Sequence, residues 1–491
     1  MNALTYGKRR ALNEMHSIFG CQWASGMLPQ IRFVPGPQGE SDHGYRPNAD
    51  DWGVTAGISG PTRLRTSGIT QPPIVGLCVR DIFLKLTEAE RNACLPDFLA
   101  FSRGLRRYHA WLLSERDPWR EGLALCLHPW ETGTDNSPAF DPLVEATHHY
   151  AEASDLPIHL FGRADTAHVS GEQRPTGRDY FAYFALLALF KKLDYRQRDI
   201  IEASPFLLQD VLFNSLLAAS LLAHAALQEA MANLLPGDNP APADRGELLA
   251  GAEEARELYE HVSSAIRRKL WHNADGFFYS FDSREGHLRT PTISGFGPLL
   301  SSIASDTQAA RLVERLTDPA RFWTPVPLPS TSADSPSFDP VRYWSGPSWP
   351  VTNWLVIRGL HERDSHQSRE LAETLRRGTL AMIEEGVDAG EVRRAAMRVM
   401  VANSVGEEFT TPSRRQYRHG WLWDSAITAA SWPLVPAKLS VSTVAGSGET
   451  RPGFWEYYHP HTGQPLGASD MTWTASLYLE LLHMGGPGTG E

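Results

Sequence analysis

Two carboxylate-bearing stretches of this chain carry the residue types of a sugar-cleaving site. His128-Pro129-Trp130-Glu131-Thr132-Gly133-Thr134-Asp135-Asn136-Ser137-Pro138 sets two acids among an indole and turn-forming residues. Far along the chain, Gly453-Phe454-Trp455-Glu456-Tyr457-Tyr458-His459-Pro460 sets a third acid among four aromatic rings. Hydrolysis of a glycosidic bond needs two opposed carboxyl groups, one protonated and one ionised. Trp and Tyr beside them offer flat apolar faces with a polar tip, suited to stacking on a pyranose.

Each acid has a plainer use. Asp135, between Gly133 and Asn136-Ser137-Pro138, is held by a turn, which suits a carboxyl fixed at a pocket wall. Trp130 nearby can desolvate it and raise its pKa, as a general acid requires. The same Asp-Asn-Ser-Pro run is also good helix-capping chemistry. Glu131 is a rival acid four residues away, and spacing does not separate the two. Glu456 between aromatics fits a base holding a water, and equally a Glu in a loop packed for stability.

Other aromatic loops surround these two. Arg342-Tyr343-Trp344-Ser345-Gly346-Pro347-Ser348-Trp349-Pro350 feeds a helix, and its rings either line a sugar subsite or plug the core. Trp421-Leu422-Trp423-Asp424-Ser425 has an Asp424 able to grip two sugar hydroxyls or to cap a helix. Ser67-Gly68-Ile69-Thr70-Gln71-Pro72-Pro73 ends a loop at a helix start, with Gln71 able to point its amide inward or to cap the helix. Arg174, with Tyr180 downstream, has the forked donors that recognise an anionic group, although an exposed Arg on a loop is the commoner use. Histidines such as His128, His459 and His461 lack metal-ligand spacing, so neither metal nor cofactor is expected.

The elements that must position these loops are helical. Patterns at about 4–19, 71–86, 96–115, 179–193, 206–233, 247–271, 296–316, 348–361, 366–386, 391–403, 421–433 and 472–484 carry apolar residues at helical spacing. Strand-like alternation is scarce, with Gly276 to Phe281 the clearest hairpin candidate. Long loops rich in Gly, Pro, Ser and Trp fall at about 29–70, 128–178, 317–347 and 435–471, and such loops tend to carry function. A dozen helices joined by alternating short and long connections predict paired helices in one body, an all-α toroid with a funnel or a superhelix.

Composition bounds the partners. Of 491 residues, 42% are hydrophobic and 21% charged, as in a folded globular protein. A formal charge of −11 without a basic cluster argues against nucleic acid. No run reaches the roughly 18 apolar residues that span a bilayer, and Met1 to Arg10 has no apolar core behind its charges. Cys21, Cys78, Cys94 and Cys126 have no paired or metal-type spacing and read as buried free thiols in a reducing compartment. The expectation is a cytoplasmic protein with a small-molecule partner; the oligomeric state, a homo-oligomer included, is left open.

Taken together, the blocks Gln22 to Pro29, Ser67 to Pro73, Trp130 to Pro138, Tyr343 to Pro350, Trp421 to Ser425 and Phe454 to Gly463 resemble glycoside hydrolase family 63, in its bacterial branch of mannosylglycerate and glucosylglycerate hydrolases. The resemblance implies an (α/α)6 toroid and inverting hydrolysis of an α-glycosidic bond. By position it implies Asp135 as general acid and Glu456 as general base. It also implies Gln71, Trp130, Trp344, Trp349, Trp423 and Asp424 around the sugar. Tyr45, Arg174, Tyr180 and Tyr343 match positions near the leaving group, where a glycerate carboxylate sits.

Two departures stand out. Residues 387–452, holding the Trp-Leu-Trp-Asp block, resemble a segment that precedes the equivalent of residues 1–30 in relatives; here it follows, within a single expected domain of residues 1–491. The ends of a closed toroid adjoin, so such a re-joining is tolerated. Met471 stands where the branch expects Gln, which weakens the case for a small acidic aglycone. An α-glucosidase of short oligosaccharides, a histidine-using sugar epimerase and a non-catalytic sugar-binding protein are the rival readings.

Overall fold

The computed structural model describes residues 6–33, 46–54, 65–166, 169–235, 242–384, 389–404, 420–431, 454–469 and 471–485. Among the described residues six helical segments form an inner wall, each packed on the next. In spatial order they are Val75–Leu84, Val211–Ala232, the 3-10 segment Ile293–Ser302, Pro350–His361, Thr472–Met484 and Leu422–Ser431, which returns to Val75–Leu84 and closes the ring. Outside lie Tyr6–Gly20, Glu88–Glu115, Pro242–Ala265, Asp306–Leu316, His366–Glu384 and Ala389–Ser404. This is an (α/α)6 toroid.

The spatial order departs from chain order at one place. Leu422–Ser431 precedes Thr472–Met484 in sequence, yet sits between it and Val75–Leu84, where the ring begins. A small antiparallel sheet ties the same segment to the N-terminal part: Gly420–Trp421 pairs with Ile31–Phe33, which pairs with Arg65–Thr66.

Local chemistry explains the element ends. Thr87 and Glu90 form a reciprocal capping box that starts Glu88–Glu115 eight residues before the expected 96, upstream of Pro96. Thr176 and Asp179 do the same for Gly177–Lys192. Asp210 caps Val211–Ala232 through Phe213 N–H, so the expected start at 206 gives way to a short strand, Leu208–Gln209. The expected helix 296–316 is two segments, because Ser305 caps a new helix after the 3-10 turn. Within the expected 128–178 loop, Asp141–Glu152 is helical.

The expected hairpin at 276–281 is replaced by two others. Phe277–Phe278 pairs back to Trp271–His272, and Phe281–Asp282 pairs forward to Gly286–His287. Gly276 and Gly286, at φ +61° and +82°, occupy the left-handed positions of the two turns. Among the described residues one helix, Val211–Ala232, is long and apolar enough to cross a membrane, and 89% of its apolar window is buried within the protein. The four cysteines are free and buried.

Candidate active site

The turn that carries Asp135 is fixed at several points. His128 caps the 3-10 helix Pro129–Glu131 through Nδ1, which accepts from Trp130 N–H. Thr132 Oγ1 donates to Pro129 O and accepts from Thr134 N–H, and Ser137 N–H closes on Thr134 O. Gly133 adopts φ +75°, a left-handed bend that a side chain resists. The Tyr183 hydroxyl donates to Asp135 O at 3.0 Å, and Trp344 N–H donates to Asn136 Oδ1 at 3.1 Å. Those last two bonds tie the turn to the helix Gly177–Lys192 and to the Tyr343 loop.

Electrostatics single out the Asp135 carboxyl. Burial pushes its pKa up to about 7, and the nearby charge of Glu456 adds to the rise, against partial relief from a backbone hydrogen bond and Arg174. Glu131 differs in kind. It lies fully buried, with Arg116 Nη1 at 2.8 Å and Nη2 at 2.7 Å across its two oxygens. Thr70 N–H and Leu127 N–H donate to the same oxygens at 3.2 and 2.7 Å. Four donors saturate a carboxylate, so Glu131 braces the turn, while Asp135 has the charges of Glu456 and Arg174 close by.

Glu456 sits at the lip of a short hairpin in which Tyr457–Tyr458 pairs with Pro465–Leu466. Its N–H donates to Ala468 O at 2.9 Å, and Ala468 N–H returns a bond to Glu456 Oε2 at 3.1 Å. Gly467, at φ +77°, passes so close that an added Cβ would lie 2.7 Å from Glu456 Oε2. Arg174 grips the carboxylate from the other side, with Nη1 3.1 Å from Oε1 and Nη2 2.7 Å from Oε2. Burial works against the Arg174 charge, and Glu456 more than restores it, holding the guanidinium well above its ordinary range.

Tyr343 lies against this ion pair. Its ring centroid lies 5.1 Å from the Arg174 guanidinium carbon and 5.7 Å from the Tyr457 ring. Burial, then the charges of Glu456 and Asp135, push its phenol far up, so it stays a neutral donor beside both carboxyls. Its backbone takes φ +33°, held there partly by the bond from Trp349 Nε1 to Tyr343 O. Trp344 and Trp349 stack at 3.8 Å with rings 4° from parallel, and are 3% and 1% exposed. They stand behind Tyr343 as its support.

The other expected residues are placed as follows. Trp130 is half-buried against His128, Tyr183 and Tyr180. Tyr180 lies under Arg163 at 4.2 Å, with its phenol raised by burial and then by Asp165, and Asp135 also contributing. Gln71 is buried at the start of the first inner helix, where Tyr108 Oη donates to its carbonyl at 3.0 Å. Trp423 and Asp424 belong to the helix Leu422–Ser431, with side chains outside the described residues; Tyr45 lies outside them altogether. Among the described residues no group of three or more His, Cys, Asp or Glu could hold a metal ion.

Sequence reading missed several members. Tyr183, Tyr457 and Gln173 all touch the site: Tyr457 Oη donates to Gln173 O, and Gln173 Oε1 accepts from Gly467 N–H at 2.9 Å. The Tyr-Tyr pair after Glu456 and the glycine at 467 were the available signals. Nothing in the local sequence marks Arg116 as the partner of Glu131.

The chain is similar to known glycosidases over most of its length. The Mannosylglycerate hydrolase MGH1-like glycoside hydrolase domain matches residues 1–392. A mannosylglycerate hydrolase of Rubrobacter radiotolerans is 36% identical over 375 residues, covering 74% of this chain and 78% of the relative. A glucosylglycerate hydrolase of Mycolicibacterium hassiacum is 28% identical over 495 residues, covering 96% of this chain and 87% of the relative. The crystal structure of a GH63 mannosylglycerate hydrolase from Thermus thermophilus, in complex with Tris and D-glycerate, superposes with a TM-score of 0.63 at 27% identity, covering 97% of this chain and 92% of that one. The chain therefore belongs to the MGH1-like branch of glycoside hydrolase family 63 and is a glycosidase.

Proposed function

We propose that the protein hydrolyses the α-glycosidic bond between glucose or mannose and a small acidic aglycone such as glycerate, in a single displacement with inversion. Protonated Asp135 gives its proton to the glycosidic oxygen while Glu456 takes one from a water attacking the opposite face of the anomeric carbon. The observation that carries this is the asymmetry of two coupled carboxyls: Asp135 is desolvated to a pKa of about 7, while Glu456 lies in a two-pronged ion pair with Arg174. Inversion requires the carboxyls to stand roughly 6.5–9.5 Å apart, leaving room for the water.

Arg174, Tyr180 and Tyr343 form the acidic-aglycone side of the site in this reading, supported by the names of the relatives and by the glycerate in the neighbouring structure. Met471, half-buried before the last helix, supplies no amide there. Gln71, Trp130, Trp423 and Asp424 are assigned to the sugar, with Trp344 and Trp349 acting through Tyr343. The segment 387–452 takes the place of the family's N-terminal helix region. Its support is the ring order, with Leu422–Ser431 between the last and first inner helices, and the end of the family match at residue 392. Buried free thiols fit the cytoplasm as the working compartment.

An epimerase would need histidines free to move protons. His128, in the Asp135 stretch, has both ring nitrogens engaged, one with Trp130 N–H and the other with Tyr183 O. Proton NMR of the purified protein with α-mannosylglycerate and α-glucosylglycerate tests the proposal. Initial release of a β-anomer supports it and names the sugar; an initial α-anomer rules out inversion, and an intact substrate rules out the aglycone.

A further inference from the structure

Protein donors largely occupy the proposed base. Arg174 covers both oxygens of Glu456, and Ala468 N–H adds a third bond on Oε2. A carboxylate offers about four acceptor positions, so a single one, on Oε1, is left for a water. The same guanidinium is one acceptor short: Arg174 Nε is buried and donates to nothing. A buried N–H of a charged group without an acceptor is costly. Tyr343 lies against the guanidinium at 5.1 Å, a stacking that leaves its in-plane edges to meet oxygen acceptors.

We infer that Arg174 is a shared clamp: an anionic group on the leaving part of the substrate accepts from its Nε edge, draws the fork off Glu456, and frees that carboxylate to accept the proton of the attacking water. This rests on the hydrolytic reading above. The bond from water oxygen to the anomeric carbon forms as the bond to the aglycone oxygen breaks. The water proton goes to Glu456, the Asp135 proton goes to the leaving oxygen, and the substrate carboxylate only exchanges hydrogen bonds. Selection for an acidic aglycone is thereby written into kcat and not only into KM, because a neutral aglycone leaves the base clamped. Arg174 is a positioning residue for Glu456 as well as a ligand for the anion.

The test is steady-state kinetics on two matched pairs: α-mannosylglycerate and α-glucosylglycerate against the corresponding glycerol glycosides, which carry CH2OH in place of the carboxylate. The unaltered enzyme is expected to show kcat at least about tenfold lower on the neutral member of its pair, about 1.4 kcal/mol in the barrier. Arg174→Ala is expected to raise kcat on the neutral glycoside and to close the gap. A difference due only to leaving-group chemistry would persist in that variant.

Equal kcat with KM alone raised for the neutral glycoside overturns the clamp and leaves the hydrolase standing. So does an equal fall of kcat on both members in Arg174→Ala and Arg174→Lys, which makes Arg174 a simple brace. Release of no sugar from any of the four glycosides overturns the hydrolytic reading and the clamp together. If Arg174→Ala does not fold, Arg174→Gln carries the same comparison, with closure of the gap expected and a persisting gap overturning the clamp.

Discussion

Arg116 and Glu131 meet in a two-pronged ion pair at 2.7 and 2.8 Å, with side chains 1% and 0% exposed, directly beneath the turn that presents Asp135. The pair converts the more deeply buried of two neighbouring acids into scaffold. It also ties the turn to the segment before the first inner helix, since Glu131 Oε1 accepts from Thr70 N–H beside Gln71.

Removing one member should therefore act on stability first. Breaking a buried pair leaves an uncompensated charge and costs about 3–5 kcal/mol. Glu131→Gln is expected to lower the unfolding free energy in urea by that order. Folded enzyme that remains should keep the alkaline limb of its pH–rate profile, because the proposed acid, Asp135, is unaltered. Unaltered stability would mean the pair contributes nothing net.

Asp135→Asn should cost roughly 10²–10⁴-fold in kcat, and less on a glycoside whose leaving group, such as nitrophenolate, needs no proton. With the acid at about 7, kcat/KM of the unaltered enzyme should fall as pH rises through 7. The same shift sets a stability effect. Folding raises this pKa from 3.8, so the stabilising contribution is present below about 4 and lost as pH rises through 7. Asp135→Asn is accordingly expected to be more stable than the unaltered chain at pH 8, by up to a few kcal/mol. Thermal unfolding at pH 4 and pH 8 checks the sign.

Three buried histidines give the opposite dependence. Burial lowers His128 and His224 to about 4 and His109 well below its ordinary value, with His109 and His224 bonded to Ser220 and Ser102 at 2.8 Å. The unfolded chain takes up these protons near 6.5, so their contribution is present above that pH and lost as pH falls toward 4. His128 and His224 can each account for about 3 kcal/mol across the window. Urea titrations from pH 7 to 4 should show this fall, and His224→Gln should make it shallower.

Gly467→Ala should cripple turnover by geometry alone. The added Cβ would meet Tyr457 Cε1 at 2.5 Å and Glu456 Oε2 at 2.7 Å, at a φ of +77°. A left-handed non-glycine costs about 1–3 kcal/mol, and relief of both contacts requires Glu456 and Tyr457 to move. The expected outcome is a fall in kcat exceeding any rise in KM; unchanged kcat would show that Glu456 has freedom to shift.

Much of this was legible in the chain itself. Helical spacing predicted most of the toroid's helices, with ends off by several residues wherever a side chain such as Thr87, Asp210 or Ser305 caps the helix. Tight turns at Gly133 and Gly467 marked where rigid carboxyls sit, and aromatic clusters marked the loops that hold them. These are local properties, set by backbone sterics and periodicity, and a sequence carries them without its fold. The division of labour among the acids is not local. Glu131 and Asp135 look alike until Arg116 and Thr70 are brought to the first, and Glu456 lies 282 residues from the arginine that clamps it. Desolvation and charge pairing depend on which groups converge in space, and that convergence exists only once the ring has closed.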